Sequence, residues 1–368
     1  MNITEAEEYG QLEINILDKN RQLLHSIDVF RTLIWTRCYT EPGRFDLYCY
    51  QPDFSRLREG VYLCTNRHKE LGRIDTLKLL RSRHLAFISG SFSEAEYNDR
   101  IIESVQDINA NREDAILSLL DDFAVSARPV TCRPALAASQ QRGGDVAFQV
   151  TGKPLGDYVY TLAYAAGLSV RNAYDFPTDT LRAEVWQGLD RRSSQTENPL
   201  AIFGGDEENV RLGDYTLSTR DEKNVAWVAG EGEGAERVIV EVDRSNGAPR
   251  KELWVNAADI RKESTSRATL TDEEYQELLE QRGIEKLAKY TRTESAAPTL
   301  LPQPNLVYGK DFDLGDLAEY HDDEAGIMVE ARITKVVETY EGGEEAVEIY
   351  FGDEEKKIMQ KVKREASE

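Results

Sequence analysis

Apolar and polar positions alternate through most of the first hundred residues. Leu12, Ile14 and Ile16 alternate with polar neighbours before a turn at Asp18-Lys19-Asn20. Further strand-like runs cover 23–30, 33–39, 44–50, 61–64, 72–80 and 85–89, with Glu41-Pro42-Gly43 and Gly60 as breaks. Turn residues recur at roughly the 8–12-residue spacing of an antiparallel barrel or sandwich, not of alternating βα units.

The period then changes. Asn111 is placed to cap a helix with Glu113 and Asp114 in its first turn and Ile116, Leu119, Leu120 and Phe123 at helical spacing. The stretch 126–145, with Pro129, Pro134 and Gly143-Gly144, reads as a connector. A second helix is expected from Pro154, ending at a left-handed Gly167. Strands are expected over 168–173 and 181–186, and a polar, irregular loop or small excursion from the core over 188–215.

Strand patterning returns at 225–229, 238–242 and 253–255. Thr271-Asp272-Glu273-Glu274 is a capping box, and the helix it starts carries Tyr275, Leu278, Leu279 and Leu287 on one face, with Gly283 inside it. Pro298, Pro302 and Pro304 are expected to close that region. Strands at 317–320, 327–339 and 346–351 follow, the last two joined by Glu341-Gly342-Gly343, with a charged tail beyond. The fold class is β-dominated α+β with two β-rich bodies. The expected divisions are a first β-domain with its trailing helix over 1–125, a connector with an α/β excursion over 126–214, a second β-domain with the capping-box helix over 215–352, and the tail 353–368.

Composition narrows the function. The 368 residues carry 45 basic and 67 acidic side chains, a net charge of −22. The first hundred residues are near balance, and the acidic excess falls in 101–368. Such a chain does not hold nucleic acid through a phosphate-neutralising surface. Its acidity serves solubility, or a wall that nucleic acid slides past without sticking. No run approaches ~18 apolar residues, which argues against a membrane span, and Met1-Asn2-Ile3-Thr4-Glu5 lacks the features of a secretory signal. Folding in a cytosol is expected, with Cys38, Cys49, Cys64 and Cys132 reduced.

Candidate chemistry is sparse. Cys38, Cys49 and Cys64 with His68 lack any CxxC pair, so no metal residues are assigned. His25 and His84 lie in strand runs, His68 in a basic turn and His321 before Asp322-Asp323-Glu324, where EF-hand spacing is missing. No GxSxG surrounds a serine. In Gly230-Glu231-Gly232-Glu233-Gly234 the acids would repel phosphate and a strand follows, so a hairpin tip is expected. Trp35, Trp186, Trp227 and Trp254 all sit in strand-like runs, the pattern of core packing. No catalytic, cofactor-binding or metal residue is assigned, no cofactor is expected, and the chain reads as structural, not as an enzyme.

Ordered blocks carry a resemblance. Leu12-Glu13-Ile14-Asn15-Ile16-Leu17-Asp18 leads to Leu33-Ile34-Trp35-Thr36-Arg37 and then Glu41-Pro42-Gly43-Arg44-Phe45, with Leu47 two positions on. Tyr215-Thr216-Leu217-Ser218-Thr219-Arg220-Asp221 is followed by Asn224 to Gly232, and the capping-box helix by Arg282-Gly283-Ile284-Glu285-Lys286-Leu287-Ala288. Tyr308-Gly309-Lys310-Asp311-Phe312-Asp313-Leu314-Gly315-Asp316 precedes Ala331-Arg332-Ile333-Thr334 and Phe351-Gly352. From about residue 12 to 352 the chain resembles siphovirus tail proteins of the ReqiPepy type, least so over 128–145, 188–214 and 295–307. That family is similar to the baseplate hub of contractile-tailed phages.

The resemblance implies two tube-type antiparallel β-barrels per subunit. It implies a homotrimer with pseudo-sixfold symmetry that joins a sixfold tail tube, or distal tail protein, to a threefold spike, fibre or separate hydrolase chain. DNA or a tape-measure protein would occupy the channel without sequence-specific binding. The particle could be a phage, a tailocin or a contractile injection system, assembled in the host cytoplasm with this chain at the tail tip. The alternatives are a cell-wall hydrolase and a receptor- or carbohydrate-binding tail module.

Overall fold

The computed structural model describes residues 12–50, 57–263, 269–302 and 305–352. The expected tail at 353–368, Pro304 and the first eleven positions lie outside them. The first hundred residues form β1 (Ile14–Leu17), β2 (Leu23–Ile27), β3 (Phe30–Cys38), β4 (Arg44–Tyr50), β5 (Tyr62–Thr65), β6 (Gly72–Leu80) and β7 (Leu85–Phe92). Next come β8 (Gln106–Asn111), α1 (Arg112–Leu120), β9 (Ala135–Leu136), β10 (Asp145–Val150), α2 (Leu155–Tyr164), β11 (Ser169–Asp175) and β12 (Thr180–Trp186). The remainder is β13 (Ile202–Gly204), β14 (Val210–Ser218), β15 (Val225–Ala229), β16 (Ile239–Asp243), β17 (Glu252–Asn256), α3 (Asp272–Leu287), β18 (Thr293–Leu300), β19 (Leu317–Asp322), β20 (Ile327–Glu341) and β21 (Glu344–Gly352). No described helix is long and apolar enough to cross a membrane.

The strands repeat one topology. In the thirteen-stranded sheet, β3, β4, β5, β6 and β7 lie in the order β3-β4-β7-β6-β5. The strands β14, β18, β19, β20 and β21 lie in the order β14-β18-β21-β20-β19. Taken in chain order, both sets are therefore arranged first-second-fifth-fourth-third, and every neighbouring pair is antiparallel. One irregularity also corresponds. The ladder between fourth and fifth strands slips between Ile74 and Thr76 in one set and between Ile333 and Lys335 in the other. A bulge raises local twist, so the repeat extends to how the strands coil.

This is the expected strand-dominated α+β fold with a doubled β unit. Among the described residues the ladders do not close into two separate barrels. The fifteen-residue β20 is long enough to pair with β19 through Ile327–Arg332 and then with β3 through Lys335–Glu341. One sheet consequently runs through both sets, and the edge of the first set is covered by the second.

Four cores support this frame. Ile14, Trp35, Phe45, Leu47, Ile88 and Phe92 fill the first set, and Phe203, Ala296, Phe312, Tyr320, Val336 and Phe351 fill the second. A third core joins α1, α2 and β10 to β12, and a fourth joins α3 to the three-stranded sheet β16-β15-β17. Two features depart from the sequence reading. The segment 188–215 is not a loop: it contributes β13 and most of β14, because Phe203 and Val210 are buried in the second core. Pro298 does not close a region but sits within β18. The β14 ladder jumps there from Ala297 to Thr299 and the β21 ladder from Ala296 to Thr299, so no amide donor is required of it.

Local signals account for the helices. Asn111 accepts from the Glu113 amide at 3.0 Å, and Thr271 and Glu274 form both halves of the capping box. After α1 the chain widens into a π turn over Asp121–Val125 that buries Phe123. Gly167 has φ +68°, as expected of a helix-ending residue.

Candidate functional site

The motif blocks meet where β20 joins the two strand sets. Arg37 is carried by β3, opposite Val336. Its Nε donates to Glu70 Oε1 at 2.7 Å, and its Nη1 donates to Asp313 Oδ1 at 2.7 Å and to the Tyr308 hydroxyl. Trp35 Nε1 donates to the other Glu70 oxygen at 3.4 Å. Burial disfavours ionised Glu70, but Arg37 and then His68 outweigh it and hold the carboxyl below its usual range.

His68 extends the joint. Its ring stacks on Trp35 with centroids 4.8 Å apart, its Nε2 lies 2.9 Å from Glu338 Oε2, and its Nδ1 lies 2.7 Å from Thr65 Oγ1. An ionised carboxylate only accepts, so Nε2 carries a proton and donates to Glu338. Tyr340 donates to the same Glu338 oxygen at 2.7 Å. Glu70, Glu338 and the His68 side chain are all nearly buried, so the charges neutralise one another inside the fold.

The block around 308–316 is the bracket of this joint. Asp316 accepts from Arg191 Nε at 2.7 Å, from the Leu189 amide at 2.7 Å and from the Asp313 amide at 3.0 Å. Gly315 has φ +88°, and a Cβ there would lie 2.5 Å from the Tyr39 ring and 2.9 Å from Trp186. Arg332 donates to the Gly315 carbonyl and covers the Tyr39 ring at 5.0 Å. The Tyr39 amide donates to Thr334 at 2.8 Å. Blocks far apart in sequence thus build one polar clamp between the two strand sets.

The remaining blocks build the unit between β14 and β18. Gly283 lets α3 approach the sheet: a Cβ would lie 2.7 Å from Val242 and 2.8 Å from Val228. In the glycine-rich segment the Gly230 amide donates to Val238 at 2.9 Å and the Glu231 amide to the Tyr275 hydroxyl at 2.8 Å. The segment links the antiparallel strands β15 and β16 as a hairpin tip. Arg282 grips Asp259 at 3.1 Å and donates to the Gln149 carbonyl at 2.8 Å, tying the unit to β10.

The individually weighed residues are dispersed. Cys38, Cys49, Cys64 and Cys132 are not joined in disulfides, and among the described residues no three His, Cys, Asp or Glu side chains gather as a metal site. His84 lies in the turn between β6 and β7 with φ +52° rather than in a strand. His321 lies 3.2 Å from Glu319, and Asp322 caps its own turn by accepting from the Ala325 amide. Core packing holds for Trp35 and Trp186 but not for Trp254, which is 57% exposed. Helix α3 covers only one face of the β16-β15-β17 sheet, and Trp254 stands on the other beside Trp227, its cross-strand partner.

Sequence reasoning missed Glu70, His68 and Glu338 as a unit. The available signal was a lone carboxylate inside a strand-forming run, Val336-Val337-Glu338, which burial makes costly unless it is paired.

Comparison with known proteins places this geometry. A family model described as Siphovirus ReqiPepy6 Gp37-like protein matches residues 13–353. The fold is shared with a tail protein from Neisseria meningitidis MC58 at TM-score 0.56 and 13% identity, covering 94% of this chain and 97% of that one. It is also shared with the 43 kDa tail protein of prophage MuSo2 from Shewanella oneidensis at TM-score 0.54 and 13% identity, covering 93% and 98%. Prophage tail protein gp18 from Listeria monocytogenes EGD-e aligns at TM-score 0.50 and 11% identity, covering 97% and 98%. No curated protein matches the chain.

Proposed function

Because the chain belongs to the Siphovirus ReqiPepy6 Gp37-like family of phage tail proteins, we propose that it is the hub of the tail tip, a homotrimer joining a sixfold tail tube or distal tail protein to a threefold spike, fibre or separate hydrolase chain. One observation carries the reading: a single chain holds the same five-strand arrangement twice. Three such chains present six like units to a tube and three copies of everything else to a spike. The polar clamp at Arg37, Glu70 and Asp313 supports it by fixing the two units of a chain in one orientation. The net charge of −22 suits a channel wall past which DNA or a tape-measure protein moves without being trapped. The role is architectural, and the chain is placed in the virion or phage-like particle, assembled in the host cytoplasm.

Exposed Trp254 and Ile239, at 57% and 47%, favour one secondary role: the unit containing β15 to β17 contacts a receptor or neighbouring tail protein. The hub reading is tested by the mass of the purified chain in solution, where a trimer is expected and a monomer at every concentration overturns it.

A further inference from the structure

Each strand set has a first strand and a fourth strand, and inside the chain the fourth strand of the second set, β20, pairs with the first strand of the first set, β3. The complementary combination is left open. The first strand of the second set, β14, ends the ladder path and pairs only with β18 among the described residues. The fourth strand of the first set, β6, pairs with β5 only through Gly72 and Arg73, so its stretch 75–80 has β7 on one side and no described ladder on the other. This matches β20, whose early residues pair with the third strand and whose later residues form the joint. Within one chain β6 and β14 are seven ladder steps apart, about 34 Å along the sheet at ~4.8 Å per step.

We propose that the β6 edge of one copy pairs with the β14 edge of the next, repeating between chains the joint that β20 and β3 make within one. The register follows from the ladders. Across the first set one row runs Ile74, Gly90, Phe45, Trp35, and across the second the same row runs Ile333, Phe351, Ala296, Tyr215. Tyr215 therefore corresponds to Trp35, and Ile74 to Ile333. In the internal joint Trp35 faces Glu338 and Arg37 faces Val336. By the same steps Tyr215 faces Leu79 of the next copy, and Leu217 faces Leu77.

The side chains fit that pairing. Leu217 is 49% exposed, and Leu77, Leu79 and Tyr215 are each partly exposed in the single chain. The pairing puts four apolar side chains on one face of the new ladder, the face that in the internal joint buries Leu33, Trp35 and Val336. It also closes two strand edges that would otherwise invite promiscuous pairing. A head-to-tail contact of this kind makes a ring when its rotation closes. The inference takes closure at three copies from the hub reading, whereas the pairing itself follows from the duplicated topology.

The test is a double variant, Leu77→Cys with Leu217→Cys, oxidised and run on a non-reducing gel beside each single variant, with the native mass of the unaltered chain measured in parallel. Covalent dimers and trimers are expected from the double variant and not from the singles. Replacing Leu77→Cys by Lys78→Cys, which points to the opposite face, abolishes them. Leu217→Asp, at a position exposed in the lone chain, leaves its far-ultraviolet circular dichroism spectrum in place and shifts the mass to monomer. A trimer without the Leu77–Leu217 crosslink, or with equal crosslinking by Lys78→Cys, overturns the pairing and leaves the hub reading standing. A chain that is monomeric throughout overturns both.

Discussion

Arg37 and Asp313 lie 2.7 Å apart although 276 positions separate them in the chain. The same guanidinium reaches Glu70 at 2.7 Å, so a single cation ties β3, the turn before β6 and the segment before β19. Arg37→Met leaves Glu70 buried without its main counter-charge. We expect a loss of about 3–5 kcal/mol in denaturant unfolding, the range for breaking a buried pair. Adding Glu70→Gln to Arg37→Met recovers much of that loss. Independent additive losses would show that the pair does not act as a unit.

Gly283 predicts an inversion of helix propensity. In an exposed helix Gly→Ala stabilises by about 1 kcal/mol. Here the added methyl meets Val228 and Val242 at under 3 Å, so Gly283→Ala is expected to cost about 1–3 kcal/mol in thermal or denaturant unfolding.

The capping box gives a smaller, local effect. Thr271→Ala removes the acceptor for the Glu274 amide and is expected to cost about 1 kcal/mol, with faster amide exchange confined to the first turn of α3.

Glu94 predicts a pH dependence. Its side chain is buried, and that burial, with the Glu70 carboxylate adding to it, pushes its acid up to about 8 from 4.5. A folded-state value above the unfolded one means that the folded state holds the proton longer. Its contribution is full below about pH 4.5 and is lost as pH rises towards about 8. Glu94→Gln should remove that decline, so the stability difference between variant and parent grows in the variant's favour across this window. A difference that stays flat with pH would contradict the assignment.

How much of this was legible depends on which force shaped each element. The alternation around Ile14, Trp35 and Phe45 is visible because those residues face one core while their neighbours do not. The Glu341-Gly342-Gly343 turn is visible because both glycines take positive φ, 63° and 86°, as a two-residue hairpin turn demands. Strand β14 was hidden because its residues alternate poorly: Arg211, Leu212 and Asp214 are all exposed on an edge, and only pairing with β18 makes them a strand. Pro298 hid β18 because the gap in both ladders that accommodates it is tertiary. Trp254 was misread because strand periodicity shows that a side chain has a face but not whether anything covers it. The clamp around Arg37 was carried by the motif blocks without being recognisable as a contact, since its partners come from three distant segments.

The most direct test of the hub account is the mass and image of the purified chain. Three copies of the 41.7 kDa chain, seen as a threefold ring with a central hole, are predicted. A particle with the mass of a single chain at every concentration, and no ring in the images, would contradict it.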